Sequence, residues 1–200
     1  MNKTILVFNI LLITIIAEAQ VNTVFEFQPI RIYDTIKTQK EINSIKELDK
    51  VNNTFFFTTK LSENDVGLFL IEKKAKYWIV YDYNDFVSNY VVGKHINLNN
   101  QYVSIEVKAS RSGYGINSYS WYLIFDLKKK SYLTLHKSSY NADENDNVLR
   151  ECRSYIKFKN NIFIIRRTCL PKNDCGYCVE SGIYKINDGR FFSFGMYGYL

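Results

Sequence analysis

Residues 150–178, RECRSYIKFKNNIFIIRRTCLPKNDCGYC, hold all four cysteines of the chain and its clearest hairpin signal. Two apolar-rich runs flank Asn160-Asn161. Asn tolerates the positive φ that a two-residue type I′ turn requires, and that turn's twist matches the strands on either side. With the turn centred there, Phe158 faces Phe163, Ile156 faces Ile165, Ser154 faces Arg167 and Cys152 faces Cys169. Counting outward from Lys159/Ile162, the cysteine pair falls on a non-hydrogen-bonded site. Cα atoms there approach to about 4.5 Å, within reach of a disulfide. Turn chemistry and cysteine positions are independent signals, and both select this register. One face then carries Cys152, Ile156, Phe158, Phe163, Ile165 and Cys169. The other is largely polar, with Ile164 its exception and Arg167 the exception on the apolar side.

The same pattern of short strands and turns extends over the chain. Residues 24–33 (VFEFQPIRIY) are expected as a strand at a sheet edge or bulge, because Pro29 has no N–H for a ladder. Residues 38–50 carry Ile42, Ile45 and Leu48 at helical spacing and form the one expected helix. Strands follow over 54–61, 66–71 and 76–83, the last two a hairpin across 73–75. Residues 86–100 are ambiguous. Residues 102–109 alternate, with Val103, Ile105 and Val107 against Ser104, Glu106 and Lys108, as a strand with one wet face does. Residues 111–117, with Gly113 and Gly115, read as a flexible connection. Hairpins are expected over 121–127/131–135, closed by Lys128–Lys130, and over 182–186/190–194, closed by Asn187-Asp188-Gly189. The expected architecture is all-β: a mostly antiparallel meander of about ten strands. A sandwich or barrel-like closure would cover its edges. No internal repeat at a fixed period is present.

The N-terminus reads as an export signal. Lys3 precedes an apolar run over 5–16, and Ala17-Glu18-Ala19 supplies an A-x-A cleavage pattern. The division is therefore a cleaved signal peptide over 1–19 and one β-rich domain over 20–200. The expected localisation is exported, periplasmic or extracellular. An even number of cysteines fits an oxidising compartment. The expected pairing is 152–169 with 175–178; the rival pairing joins 169 to 178 and 152 to 175. The formal charge of +6 is scattered. It permits weak association with anionic surfaces, including a membrane surface, without the dense basic stripe of a nucleic-acid binder.

Each candidate chemical motif has a plainer reading. The Cys175-Gly176-Tyr177-Cys178 CxxC is followed by strand-forming residues rather than the helix that activates a redox thiolate, so a structural disulfide is expected. Four thiolates would also suit zinc, but export favours disulfides. His95 and His136 are the only histidines, which excludes a histidine-rich metal site, and the G-x-S-x-G elbow is absent. Asp82, Asp85 and Glu106 lie near aromatic strands, the raw material of a carboxylate hydrolase. The acidic stretch 143–147 lacks the glycine and glutamate of an EF-hand. The tail 191–200 alternates as an outer-membrane barrel strand does.

The expectation that unites these features is an exported soluble β-domain acting as a non-catalytic binding module. It uses no cofactor, and its partner is a protein, an inhibitor target or a glycan. Trp78, Tyr81 and Tyr83 are the candidate aromatic binding surface. The alternatives are a secreted carboxylate-dependent hydrolase using Asp82 and Glu106, or a small outer-membrane barrel.

Overall fold

The computed structural model describes residues 23–83, 90–113, 115–145, 147–159, 161–171 and 178–195. The strands are β1 (Thr23–Glu26), β2 (Gln28–Pro29), β3 (Arg31–Ile36), β4 (Asp49–Lys50), β5 (Phe55–Lys60), β6 (Val66–Lys73), β7 (Trp78–Asp82), β8 (Tyr90–Asn97), β9 (Tyr102–Gly113), β10 (Gly115–Asp126), β11 (Ser131–Ala142), β12 (Val148–Lys159), β13 (Ile162–Leu170), β14 (Gly182–Asn187) and β15 (Arg190–Gly195). One helix, α1 (Gln39–Ser44), is capped by Thr38 and Glu41 in a reciprocal capping box.

The strands form two antiparallel sheets. The ten-stranded sheet runs β1-β15-β14-β13-β12-β11-β10-β9-β8, with β2 added beside β11. The five-stranded sheet runs β3-β7-β6-β5-β4. The all-β meander is therefore present. The larger sheet ends at β1 and β8 and is not closed into a barrel.

The cysteine hairpin has the register its turn chemistry dictates. Phe158 pairs with Phe163, Ile156 with Ile165, Ser154 with Arg167 and Cys152 with Cys169. Asn161 takes φ 63° at the turn. Cys152 and Cys169 form a disulfide, their Cα atoms 4.1 Å apart. This pairing rules out the rival connectivity, which requires both residues elsewhere. Asp188 (φ 50°) and Gly189 (φ 78°) likewise close the β14–β15 hairpin with positive φ at both central positions.

Three apolar layers build the core, and the first of them joins the two sheets. Phe57, Leu68, Leu70 and Tyr81 of the smaller sheet pack against Val103, Ile105, Leu123 and Phe125 of β9 and β10. The rings of Phe57 and Phe125 lie 4.9 Å apart. The outer face of the smaller sheet, Phe69, Ile71 and Val80, is covered by Ile42 and Ile45 at and just after α1. The opposite face of β10 and β11, Ile124, Leu133 and Leu135, packs against Phe163, Ile165, Tyr184 and Phe191. Strand β10 is thus covered on both sides. Successive residues Leu123, Ile124 and Phe125 are all buried, which is why this stretch reads as a continuous apolar run instead of alternating.

Other expectations need correction. The strand over 24–33 is three pieces: β1 and β2 belong to the larger sheet and β3 to the smaller. Pro29, with no N–H, ends the first sheet's share, and buried Ile30 carries the chain across between them. The helix over 38–50 stops at Ser44, since Ile45 is already extended and Glu47 adopts φ 61°. The connection over 111–117 is strand on both sides, with Gly113 paired to Gly115. The wet face of β9 is wet only in part, because Ser104 is buried.

The disulfide closes a loop with a sequence separation of 17. Restricting the unfolded chain over such a loop contributes about 3 kcal/mol. The double substitution Cys152→Ser/Cys169→Ser is expected to lower the unfolding free energy by about that amount. Urea denaturation checks it. A loss below about 1 kcal/mol would show that the hairpin's own contacts already hold the register without the bridge.

Candidate functional site

The hairpins β9–β10 and β10–β11 are longer than the sequence suggested, and their distal halves run past the residues that pack on the smaller sheet. On β10 the odd-numbered residues form one face. Leu123 and Phe125 enter the core shared with the smaller sheet, while Tyr119 and Trp121 continue the same face beyond it. The two rings stack, with centroids 6.0 Å apart and planes inclined by 16°. A β-bulge between Ser120 and Trp121 sets His136 of β11 opposite Trp121, and Ser139 opposite Tyr119. Bulges commonly re-aim side chains beside functional sites. Tyr119, Trp121, Thr134, His136 and Arg150 line a pocket of about 600 Å³. Its inner wall continues to Thr134, whose Oγ1 lies 3.5 Å from the hydroxyl of Tyr83.

His136 is buried at 4% exposure. Its Nδ1 lies 2.9 Å from Sγ of Cys178, which is disulfide-bonded. A disulfide sulfur has no proton, so the imidazole N–H is the donor in this contact. Burial pushes the His136 pKa down to about 4; the charge of Arg167 adds to this and a hydrogen bond to the Ser138 backbone opposes it. The ring is therefore neutral at pH 7. Arg167 also donates from Nη1 to the carbonyl of Cys178 at 3.4 Å. Together these contacts hold the Cys178 segment beside the pocket. Cys175 lies outside the described residues.

The aromatic trio singled out in the sequence does not form one surface. Tyr81 and Tyr83 are buried in the core between the sheets, and Trp78 packs with Val80 on the opposite face beside α1. Strand alternation separates Trp78 from the tyrosines, because they occupy positions of opposite parity on one strand. The signal that marks the actual cleft was an i,i+2 aromatic pair, Tyr119 and Trp121, set among serines on a long hairpin.

The structure does not bring Asp82 and Glu106 together either. Asp82 shares the face of Val80 and Trp78, whereas Glu106 pairs with Tyr122 on the side of β9–β10 turned away from the smaller sheet. The inter-sheet core stands between the two carboxylates, so they cannot flank one scissile bond. Asp85 lies outside the described residues. Burial opposes ionisation of Glu106, but Lys137 at 2.7 Å and Lys108 at 3.4 Å outweigh it and hold the pKa below the ordinary carboxylate value. His95 contacts Asp49 through Nδ1 at 2.6 Å and joins β8 to β4. In the acidic loop, Asp143 accepts from the backbone N–H groups of Asn145 and Asn147, each at 2.9 Å, so its carboxylate closes a turn. Among the described residues no group of three or more His, Cys, Asp or Glu is placed to hold a metal ion.

No protein-family model, curated protein or solved structure matches the chain.

The depressed pKa of His136 has a sign that can be measured. An unfolded histidine titrates near 6.5, so between about 6.5 and about 4 the unfolded chain carries a proton that the folded chain lacks. Stability contributed by the neutral ring is complete above this window and is lost as pH falls through it. Chemical denaturation from pH 7 to 4 is expected to show this decline, and His136→Asn to flatten it. An unchanged slope in the variant would show that other groups govern the acid limb.

Proposed function

We propose that the chain is an exported, non-catalytic binding domain whose Tyr119–Trp121 cleft takes a saccharide. The observation that carries this reading is the stacked aromatic pair lining a pocket with Thr134, His136 and Arg150 around it. Aromatic faces are electron-rich and attract the polarised C–H groups on the flat side of a pyranose. Hydroxyl, imidazole and guanidinium groups around them suit sugar hydroxyls or an acidic substituent. The export reading is supported by the A-x-A pattern after an apolar N-terminal run and by the Cys152–Cys169 bridge, which an oxidising compartment maintains. A secreted domain whose cleft carries no paired carboxylates among the described residues fits recognition better than turnover.

The chain has two tryptophans, so Trp78→Phe leaves Trp121 as the single reporter. In that background the mature, oxidised protein is titrated with a library of neutral and acidic oligosaccharides while Trp fluorescence is followed. The expected result is a saturable change for one class of sugar. Trp121→Ala, in the otherwise native chain, should weaken binding of that sugar by about tenfold in calorimetry, the scale of a lost stacking contact with its buried area. Silence across the library, undiminished affinity in Trp121→Ala, or hydrolysis of a bound sugar would each sink the reading.

A further inference from the structure

The opposite face of β9–β10 carries a second feature, which meets the aromatic cleft at Tyr119, a residue that lines both pockets. Its even-numbered residues change character along the strands. At one end Ser104, Tyr122 and Ile124 line a pocket of about 330 Å³ with Ile96, Ile156 and Phe158. At the other, Glu106, Lys108, Ser118 and Ser120 line a pocket of about 450 Å³ with Lys137. Register places Tyr122 opposite Glu106, Ile124 opposite Ser104 and Ser120 opposite Lys108. The two pockets therefore lie end to end on one sheet face, and Tyr122 stands at the junction with the Lys137 ammonium 5.1 Å from its ring centroid.

The apolar end opens between two parts of the folded larger sheet, where Ile156 and Phe158 of β12 lie over Tyr122 and Ile124. Its rim residue Ile96 is 60% exposed. The polar end has a charge imbalance. Among the described residues, Lys108 and Lys137 both pair with one carboxylate, Glu106, which gives these three side chains a net positive charge. A second carboxylate seated there would balance it. Each pocket reaches the lower end of the range for small-molecule sites, about 300–1,000 Å³, and register sets the apolar one and the lysine-lined one in succession along the same strands.

We propose that this groove binds a long-chain fatty-acid anion, with the alkyl chain along Ile96, Ile124, Ile156 and Phe158 and the carboxylate beside Lys108 and Lys137. Burial of methylene groups supplies the affinity. The lysine pair supplies orientation and selects an anionic head over a neutral or cationic one.

The test displaces 11-(dansylamino)undecanoic acid from the mature, oxidised protein. Palmitate is expected to compete saturably, and hexadecyltrimethylammonium, with the same chain length and opposite charge, not to compete. Lys108→Glu reverses the protein charge facing the head group at an exposed position and should weaken palmitate about tenfold, the scale of a lost charge-assisted contact. Lys128→Glu makes the same net change at an exposed residue of the β10–β11 turn and should leave palmitate binding as it was. Ile96→Glu, at another exposed site, should abolish it. Failure of palmitate to compete, equal competition by the cationic detergent, or equal effects of Lys108→Glu and Lys128→Glu would overturn the proposal. Oligosaccharide binding at Trp121 is read separately, so either reading can fail alone.

Discussion

Strand β10 is covered on both faces, and the rest of the architecture depends on that. Its odd residues, Leu123 and Phe125, fill the layer against the smaller sheet. Its even residue Ile124 fills the layer against β13–β15. A pleated strand alternates its side chains with a period of two, so a one-residue slip would send each set into the wrong layer. Both layers therefore specify the same register for β9–β11. The turn closing β10–β11 is fixed by Asp126, fully buried yet satisfied: its Oδ1 accepts from the N–H groups of Lys128 and Lys129 at 2.9 and 3.0 Å, and its Oδ2 from Gln101 Nε2 at 2.9 Å. A buried carboxylate without such donors would be costly.

Charged contacts join the two sheets where the apolar layers end. Glu72 of the smaller sheet lies 3.3 Å from Lys130 in the β10–β11 turn, 2.9 Å from Lys74 and 2.8 Å from the hydroxyl of Tyr81. Burial pushes the Glu72 pKa up, but the hydrogen bonds from Lys74 and Tyr81 and the charge of Lys130 outweigh it and leave it lowered. The Lys130 ammonium also lies 4.6 Å from the centroid of the Phe55 ring. At the β4 edge of the smaller sheet His95 meets Asp49, and Asn97 donates to the Val51 carbonyl. These contacts set β8, an end strand of one sheet, beside β4, an end strand of the other. Unpaired strand edges invite pairing with other chains, and bringing two edges together shields part of each.

The doubly covered part of β10 ends near the bulge at Ser120/Trp121. Beyond it the long hairpins carry a half-buried aromatic face and a polar face on opposite sides of the same strands. The aromatic cleft and the lysine-lined end of the groove arise from this overhang, whereas the apolar end of the groove lies beside the covered residues Ser104 and Ile124. A strand confined to the core would have buried Tyr119 and Trp121 as it buries Leu123.

Local signals in the chain determined much of the fold. Asn160-Asn161 and Asp188-Gly189 set hairpin registers through their tolerance of positive φ, and the cysteine spacing agreed with the first of them. The Thr38–Glu41 capping box started the helix. These features act over a few residues, so composition and spacing reveal them. Which face of a strand meets another layer is a long-range matter. The sequence marked Trp78, Tyr81 and Tyr83 as aromatic without showing that the core between the sheets would take the tyrosines, or that α1 would lie beside Trp78. It placed Asp82 and Glu106 among aromatics without showing that a whole apolar layer would part them. Only the packing of one sheet on another decided that Tyr81 and Tyr83 are buried while Tyr119 and Trp121 stay half-buried beside a pocket, because burial depends on partners distant in the chain and alternation alone does not name them.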